Sequence, residues 1–280
     1  MKLINRYKRI LSLIAVLTLT AAVLCSCTAK DASETAGFNA WFFNMGKADS
    51  ILLDCGGKYV LIDCGEKNTG KELVKALANG GVKKLDYLII THFDKDHVGG
   101  AARVLQYLKV GTVLQNSREK DSDEYDDYVE AVKQSGVDVV TVREEYTFEV
   151  NGTEFTVTPG AGGYDKDKSN NFSLVTEVNA YGVKFLFAGD VQTERIEEML
   201  EDGLEDIDVL KVPYHGKEEE KIDELIAALT PEAAVITSSD KEPESDSTMQ
   251  ALSEAGVTTY LTRQGTVCVS VENGTYSVEQ

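Results

Sequence analysis

Only three histidines occur in this 280-residue chain, and two of them, His92 and His97, share one six-residue segment with two aspartates. The segment reads His92-Phe93-Asp94-Lys95-Asp96-His97, and Val98-Gly99-Gly100 follow at once. Nitrogen and oxygen donors at that density suit Zn, Mn or Fe, and side chains pointing both ways from an irregular loop can serve two ions. Taken singly, each residue would pass as an N-cap aspartate or a surface histidine. Two of three histidines in one short loop argue against chance and for metal binding. The glycines are expected to let the backbone approach a neighbour and turn.

Strands must place these groups. His92 and His97 follow the apolar run Leu85 to Ile90, and the third histidine, His215, follows Val209 to Val212. A third apolar run, Val183 to Phe187, ends in Ala188-Gly189-Asp190 and supplies a carboxylate in the same relative place. Ligands gather beyond the carboxyl ends of such strands, so the three ends point at one site. Around them the pattern predicts a meander over 38–45, 50–54 and 58–63, and a helix over 72–78 stopped by Asn79-Gly80-Gly81. Further helices are expected over 101–108, 125–133, 193–200, 222–229 and 248–255. Strands are expected over 111–114, 137–142, 172–178 and 233–237, with a hairpin over 149–158 around Asn151-Gly152. A Gly-, Asp- and Lys-rich stretch over 160–170 reads as a surface loop, and 258–278 as a C-terminal sheet with a turn at Asn273-Gly274. Strands outnumber what a doubly wound sheet needs. Two sheets packed face to face with helices outside satisfy the pattern.

The segment Thr91 to Gly100 resembles the metal-binding motif of the metallo-β-lactamase fold, in the variant whose second histidine is Asp. That variant is typical of the hydrolase domain of ComEC-type DNA-uptake proteins and their free-standing secreted relatives. Five further stretches match in order. Phe43-Asn44-Met45-Gly46-Lys47-Ala48-Asp49-Ser50 is similar to that group's opening Asp-Val-Gly-Gln-Gly-Asp-Ser, and Leu61-Ile62-Asp63-Cys64-Gly65 to its second strand. Asn170-Asn171-Phe172-Ser173-Leu174-Val175, Phe187-Ala188-Gly189-Asp190 and Leu210-Lys211-Val212-Pro213-Tyr214-His215-Gly216 complete the series.

The resemblance implies an α/β fold, the αββα sandwich, over residues 38–280, and two divalent metal ions, Zn or Mn. His92 and Asp94 would hold the first ion, Asp96, His97 and His215 the second, and Asp190 would bridge both. Two such ions about 4 Å apart polarise a substrate oxygen and generate hydroxide near neutral pH. Asp96 could also orient that water. A first-site histidine found in many branches has no counterpart, and Asn171 or Ser173 occupies its neighbourhood. Tyr214 stands where relatives usually carry the first of two histidines; its phenol can donate a hydrogen bond to a developing oxyanion but is a poor general acid near neutral pH. Lys217 replaces the usual serine, and Lys95 lies between two ligand carboxylates; either could pair with a phosphate or simply be solvated. The family's later Gly-His-Pro loop is here Ser239 to Ser245, without histidine.

The first 26 residues differ in kind. Lys2, Arg6, Lys8 and Arg9 precede an apolar run from Ile10 to Leu24, shorter than the roughly 20 residues of a comfortable membrane span. This reads as a signal peptide, and Leu24-Cys25-Ser26-Cys27 resembles a bacterial lipoprotein cleavage box with Cys27 as the lipid-modified residue, although Cys25 is unusual in it. An ordinary signal peptide or an uncleaved anchor is the alternative. Residues 27–37 would be a tether. Without the leader the chain keeps 24 basic and 47 acidic residues, a net charge of −23. Such a surface opposes nonspecific binding to nucleic acid and anionic lipid. At 42% hydrophobic and 27% charged, the composition excludes a disordered tail, a collagen-like chain and a multi-span membrane protein. Cys55 and Cys64 flank the Gly56-Gly57 turn too unevenly to bridge, so with Cys268 they are expected to be buried thiols.

The expected function is a lipid-anchored, exported, metal-dependent hydrolase of phosphodiesters. A small phosphoester fits the anionic shell better than a nucleic-acid substrate. The membrane would be met through the lipid on Cys27, and no protein partner is inferable. A β-lactam or ester hydrolase could use the same site; a non-catalytic metal-binding lipoprotein would suit Tyr214 and the lost downstream histidine.

Overall fold

A computed structural model describes residues 37–165 and 168–280. The leader and Cys27 lie outside the described residues, and among those described no helix is long and apolar enough to cross a membrane. The first half builds β1 (Phe38–Phe42), β2 (Ile51–Cys55), β3 (Tyr59–Ile62), α1 (Gly70–Asn79) and β4 (Lys84–Ile90). It continues with α2 (Lys95–Val98), α3 (Ala101–Tyr107), β5 (Lys109–Gln115), α4 (Asp123–Ser135) and β6 (Asp138–Thr141). The second half runs β7 (Tyr146–Val150), β8 (Thr153–Thr158), β9 (Val175–Ala180), β10 (Val183–Phe187) and α5 (Thr193–Asp202). Then come β11 (Val209–Lys211), α6 (Ile222–Leu229), β12 (Ala233–Ile236), α7 (Asp246–Glu254), β13 (Thr258–Leu261), β14 (Val267–Glu272) and β15 (Thr275–Glu279).

Two sheets result, ordered β15-β14-β1-β2-β3-β4-β5-β6 and β13-β12-β11-β10-β9-β8-β7. Side-chain alternation decides what each face meets. Phe185 and Phe187 of β10 join Phe38, Phe42, Ile51, Leu53 and Ile89 in a core between the sheets, while Leu186, between them in sequence, faces a helical layer with Ile196, Ile226 and Leu252. On the other side Leu88 and Ile90 pack outward with Leu73, Leu77, Val104 and Tyr128. The layers are therefore helix, sheet, sheet, helix, the αββα sandwich.

Two sequence expectations need correction. The strand expected over 172–178 starts only at Val175, because Ser169–Phe172 form a 3-10 turn. The C-terminal stretch is no single sheet: β13 lies parallel to β12 at the edge of one sheet, whereas β14 and β15 cross to the other, where β14 pairs antiparallel with β1. Cys55, Cys64 and Cys268 are free and buried. Burial pushes the Cys55 thiol up to about 12 and also raises Cys64 and Cys268.

Candidate metal centre

One arm of the site grows from β3 and β4. Asp63, fully buried just past β3 with a left-handed backbone (φ 57°), accepts from the Thr91 amide at 2.9 Å and the Thr91 hydroxyl at 2.7 Å. His97 Nδ1 donates to the same carboxylate at 2.7 Å, which turns Nε2 toward the site. His97 rides on α2, a single helical turn capped by the Asp94 carbonyl, which accepts from the His97 and Val98 amides at 2.9 Å. Two chain segments cross here: the Cys64 amide donates to the His97 carbonyl at 2.7 Å and the Gly100 amide to the Gly65 carbonyl at 3.1 Å. A Cβ on Gly100 would overlap the Cys64 carbonyl oxygen, and one on Gly99 the Lys95 carbonyl oxygen. Both glycines keep ordinary helical backbone, so close approach, and not the expected turn, is what requires them.

The second arm grows from β10, β11 and β12. Beyond β11, Tyr214 and His215 both adopt left-handed backbone (φ 50° and 55°), at a cost of about 1–2 kcal/mol each. Such strain persists where surrounding structure over-determines it, as it does at functional sites. Here the Tyr214 amide donates to the Gly189 carbonyl at 3.2 Å. His215 Nδ1 lies 3.2 Å from the Thr237 hydroxyl, which donates to Asp49 at 2.5 Å. The buried Lys211 ammonium meets Asp49 at 2.5 Å and the Gly189 carbonyl at 2.9 Å.

The arms converge on Asp190, which follows β10 and is 3% exposed. Its Oδ2 lies 3.2 Å from His97 Nε2 and 3.0 Å from His215 Nε2. The His92 and His97 ring centroids are 4.1 Å apart, those of His97 and His215 5.4 Å. The Nε2 atoms of all three histidines and Oδ1 of Asp190 are buried without an aligned hydrogen-bond partner. Buried polar atoms are ordinarily satisfied, so three imidazole nitrogens converging on Asp190 fit a cation, while Asp190 Oδ1 faces the Lys211 ammonium at 3.6 Å. The ligand atoms of His92, His97 and Asp190 lie within 4.8 Å of one another, as do those of Asp96, His97 and His215. A third such cluster, Asp49, Asp63 and His97, sits behind them.

Charge agrees with this geometry. Burial works against every ionised form here, and in Asp190 it is overcome by the facing His215 and His97, which hold its carboxyl well below the usual range. Against the same pull, Asp190 and Asp63 raise His97 and Asp190 lifts His215 to about 9. His92 goes the other way, lowered by burial and by its neighbour His97. Asp96 and Asp94 resist burial and stay low, the first through His215 and His97, the second through His92 and Lys120. Burial, Asp190 and Glu219 raise Tyr214, which stays a phenol and a donor.

The structure brings together His92, Asp96, His97, Asp190 and His215. Asp94 stands at the rim, 3.7 Å from His92 Nε2, where its Oδ1 meets Lys120 at 2.5 Å and the Ser169 hydroxyl at 3.1 Å. Ser173 backs the site: its hydroxyl accepts from the Asp190 amide at 3.2 Å and lies 3.3 Å from His92 Nδ1. Asn171 works one step further out, donating to Glu194 and accepting from the Gln192 amide. Lys217 is turned to the Pro243 carbonyl at 3.0 Å, and Lys95 is exposed. Lys47, by contrast, reaches Asp96 at 3.1 Å. Sequence reasoning assigned no role to Asp49, Asp63, Thr237 or Lys211. The visible signals were the family-like stretches that contain Asp49 and Asp63 and a lysine closing the apolar run Val209-Leu210; nothing marked Thr237.

Residues 44–238 match the family model for the metallo-beta-lactamase superfamily. The chain is 31% identical over 170 residues, 60% of its length, to ComE operon protein 3 of Bacillus subtilis (strain 168). It is 24% identical over 200 residues, 70% of its length, to Recombination protein 2 of Haemophilus influenzae. It spans under a quarter of either relative, 22% and 23%. Among solved structures, the metallo-beta-lactamase fold protein YhfI from Bacillus subtilis superposes with a TM-score of 0.53 at 11% identity, over 86% of this chain and 99% of that one.

Proposed function

The chain belongs to the metallo-beta-lactamase superfamily of hydrolases, and from that premise we propose that it is a phosphodiesterase using two divalent ions, Zn or Mn. The carrying observation is the convergence of three buried imidazole Nε2 atoms on the Asp190 carboxylate, flanked by two lysines in an otherwise anionic chain. His92, Asp94 and Asp190 would hold one ion, and Asp96, His97, His215 and Asp190 the other. Bound there, the ions supply Lewis acidity toward a phosphoryl oxygen and a nucleophile at neutral pH. The residues do the rest. Asp96, kept ionised, accepts a hydrogen bond from the attacking water and orients it, and the proton which that water loses passes to bulk solvent rather than to this carboxylate. Tyr214 donates its phenolic hydrogen to the oxygen on which charge develops. Lys120 and Lys47, at the carboxylate rims, bind non-bridging phosphate oxygens and compensate locally for the surrounding acids. That balance favours a small phosphoester over long nucleic acid.

The test is a panel on the metal-loaded protein: bis(p-nitrophenyl) phosphate, nitrocefin and a nitrophenyl ester. Turnover of the phosphodiester that disappears in Asp190→Ala is the expected result; turnover of nitrocefin alone would replace this reading with amide hydrolysis. Export and lipid attachment through Cys27 are part of the same proposal and are supported by the charged, apolar and cleavage-box order of residues 1–27. Metabolic labelling with palmitate checks them: label should vanish in Cys27→Ala, and label retained by that variant removes the anchor from the proposal.

A further inference from the structure

We infer that Lys211 is a positioning residue for metal binding, the cation through which the fold holds Asp190 directly and His215 by way of Asp49 and Thr237. The inference rests on the ligand assignment of the preceding subsection. Lys211 is 1% exposed, and its ammonium has three neighbours: Asp49 Oδ2 at 2.5 Å, the Gly189 carbonyl at 2.9 Å and Asp190 Oδ1 at 3.6 Å. Burying an ion pair is weak evidence for stability, since apolar residues of similar volume often serve a fold as well. What the pair specifies is therefore the better guide to its use.

On one side it specifies a tautomer. The Thr237 hydroxyl spends its single proton on Asp49 at 2.5 Å, and toward His215 Nδ1, 3.2 Å away, it can then only accept. His215 must carry hydrogen on Nδ1, which leaves Nε2 as the lone-pair nitrogen facing Asp190 and Asp96. On the other side it holds the Gly189-Asp190 corner, so that Asp190 meets the two imidazoles with Oδ2. The same ammonium neutralises Asp49 in the third carboxylate and imidazole cluster, with Asp63 and His97, where a protein cation already sits beside the ligand atoms. Asp63 reaches His97 Nδ1 directly at 2.7 Å, whereas Asp49 Oδ1 stands 3.5 Å from His215 Nδ1 and Thr237, at 3.2 Å, makes the closer contact.

The experiment measures Co(II) and Zn(II) affinity of the full chain by chelator competition, together with the visible Co(II) spectrum. Lys211→Met and Thr237→Val should each weaken binding about 10- to 100-fold, the usual loss for groups behind metal ligands, and shift the cobalt bands. Lys211→Arg and Thr237→Ser should recover part of both. If Lys211→Met does not fold, Lys211→Gln decides, since its amide can still donate toward Asp49 and the Gly189 carbonyl while the charge is gone. Variants that melt earlier yet keep wild-type affinity and spectrum would overturn the inference and leave the metal site standing. A wild-type chain that binds neither ion would overturn both.

Discussion

The two arms of the site deliver equivalent imidazoles by different means. Asp63 touches His97 directly, on a regular helical turn wedged against a neighbouring segment by two glycines. His215 is reached through a hydroxyl, a carboxylate and a buried ammonium, on two consecutive left-handed residues. The first arm is built by contact and the second by charge. A contact-built arm should fail when atoms are added or removed; a charge-built arm should fail when a buried charge is neutralised, and both carry an imidazole that answers to proton concentration.

The largest effect expected is from His97→Ala, because His97 belongs to all three clusters. Metal affinity should fall by more than the roughly 100-fold that bounds groups behind the ligands, with phosphodiesterase turnover lost alongside it. Chelator competition checks the first and a nitrophenyl phosphate assay the second. Gly100→Ala comes next: its methyl would meet the Cys64 carbonyl, and overpacking of that kind should cost about 1–3 kcal/mol of stability, read from denaturant midpoints. An unchanged midpoint would mean the crossing is looser than the contact-built view requires.

Both arms answer to pH, since against burial His97 and His215 are each raised by facing carboxylates. In cation-free protein Asp190 lifts His215 to about 9, above the imidazole's ordinary 6.5. A raised folded value means stabilisation present in full below pH 6.5 and lost as pH climbs toward 9. Chelated protein should accordingly melt earlier at pH 9 than at pH 6.5, while metal-loaded protein, in which the ion has replaced that proton, should not. Binding should release protons at pH 7, so affinity rises with pH by up to about tenfold per unit for each proton displaced. Calorimetry in buffers of different ionisation enthalpy counts them. Smaller still, Lys120→Ala should raise KM for the phosphodiester about tenfold with kcat little changed, the worth of one charge-assisted hydrogen bond. Lys217→Ala, whose ammonium is turned to Pro243, should change neither.

The same contrast explains what could be read in advance. The ligands of the first arm are local: His92 to His97 are contiguous, and the apolar run before them marks the strand that presents them, although Asp63 behind them lies 34 positions away. Element types and the two-sheet sandwich followed from alternation and turn residues in the same way. The second arm is long-range. Thr237 finds Asp49 across 188 positions, and no periodicity encodes that pairing. Nor does a propensity announce left-handed backbone at Tyr214 and His215, which packing imposes against local preference. The late start of β9 and the division of the C-terminal strands between sheets were hidden for a related reason. Apolar alternation says that a strand is half-buried, but not which neighbour buries it.

The three buried thiols turn the molecule into its own clock. Cys55 of β2 belongs to the core between the sheets, Cys268 of β14 is buried two strands away across β1, and Cys64 lies beneath the crossing that carries His97, all with their thiolates suppressed. An alkylating reagent can modify Cys55 and Cys64 only in molecules whose layers have parted, while Cys268, set against Ser270 on the outer face of its strand, reports the sheet's edge. The labelling rate at these positions, resolved by peptide mass from Cys25 and Cys27, therefore times how often each layer parts, and whether a bound ion slows the crossing at Cys64 more than the core at Cys55.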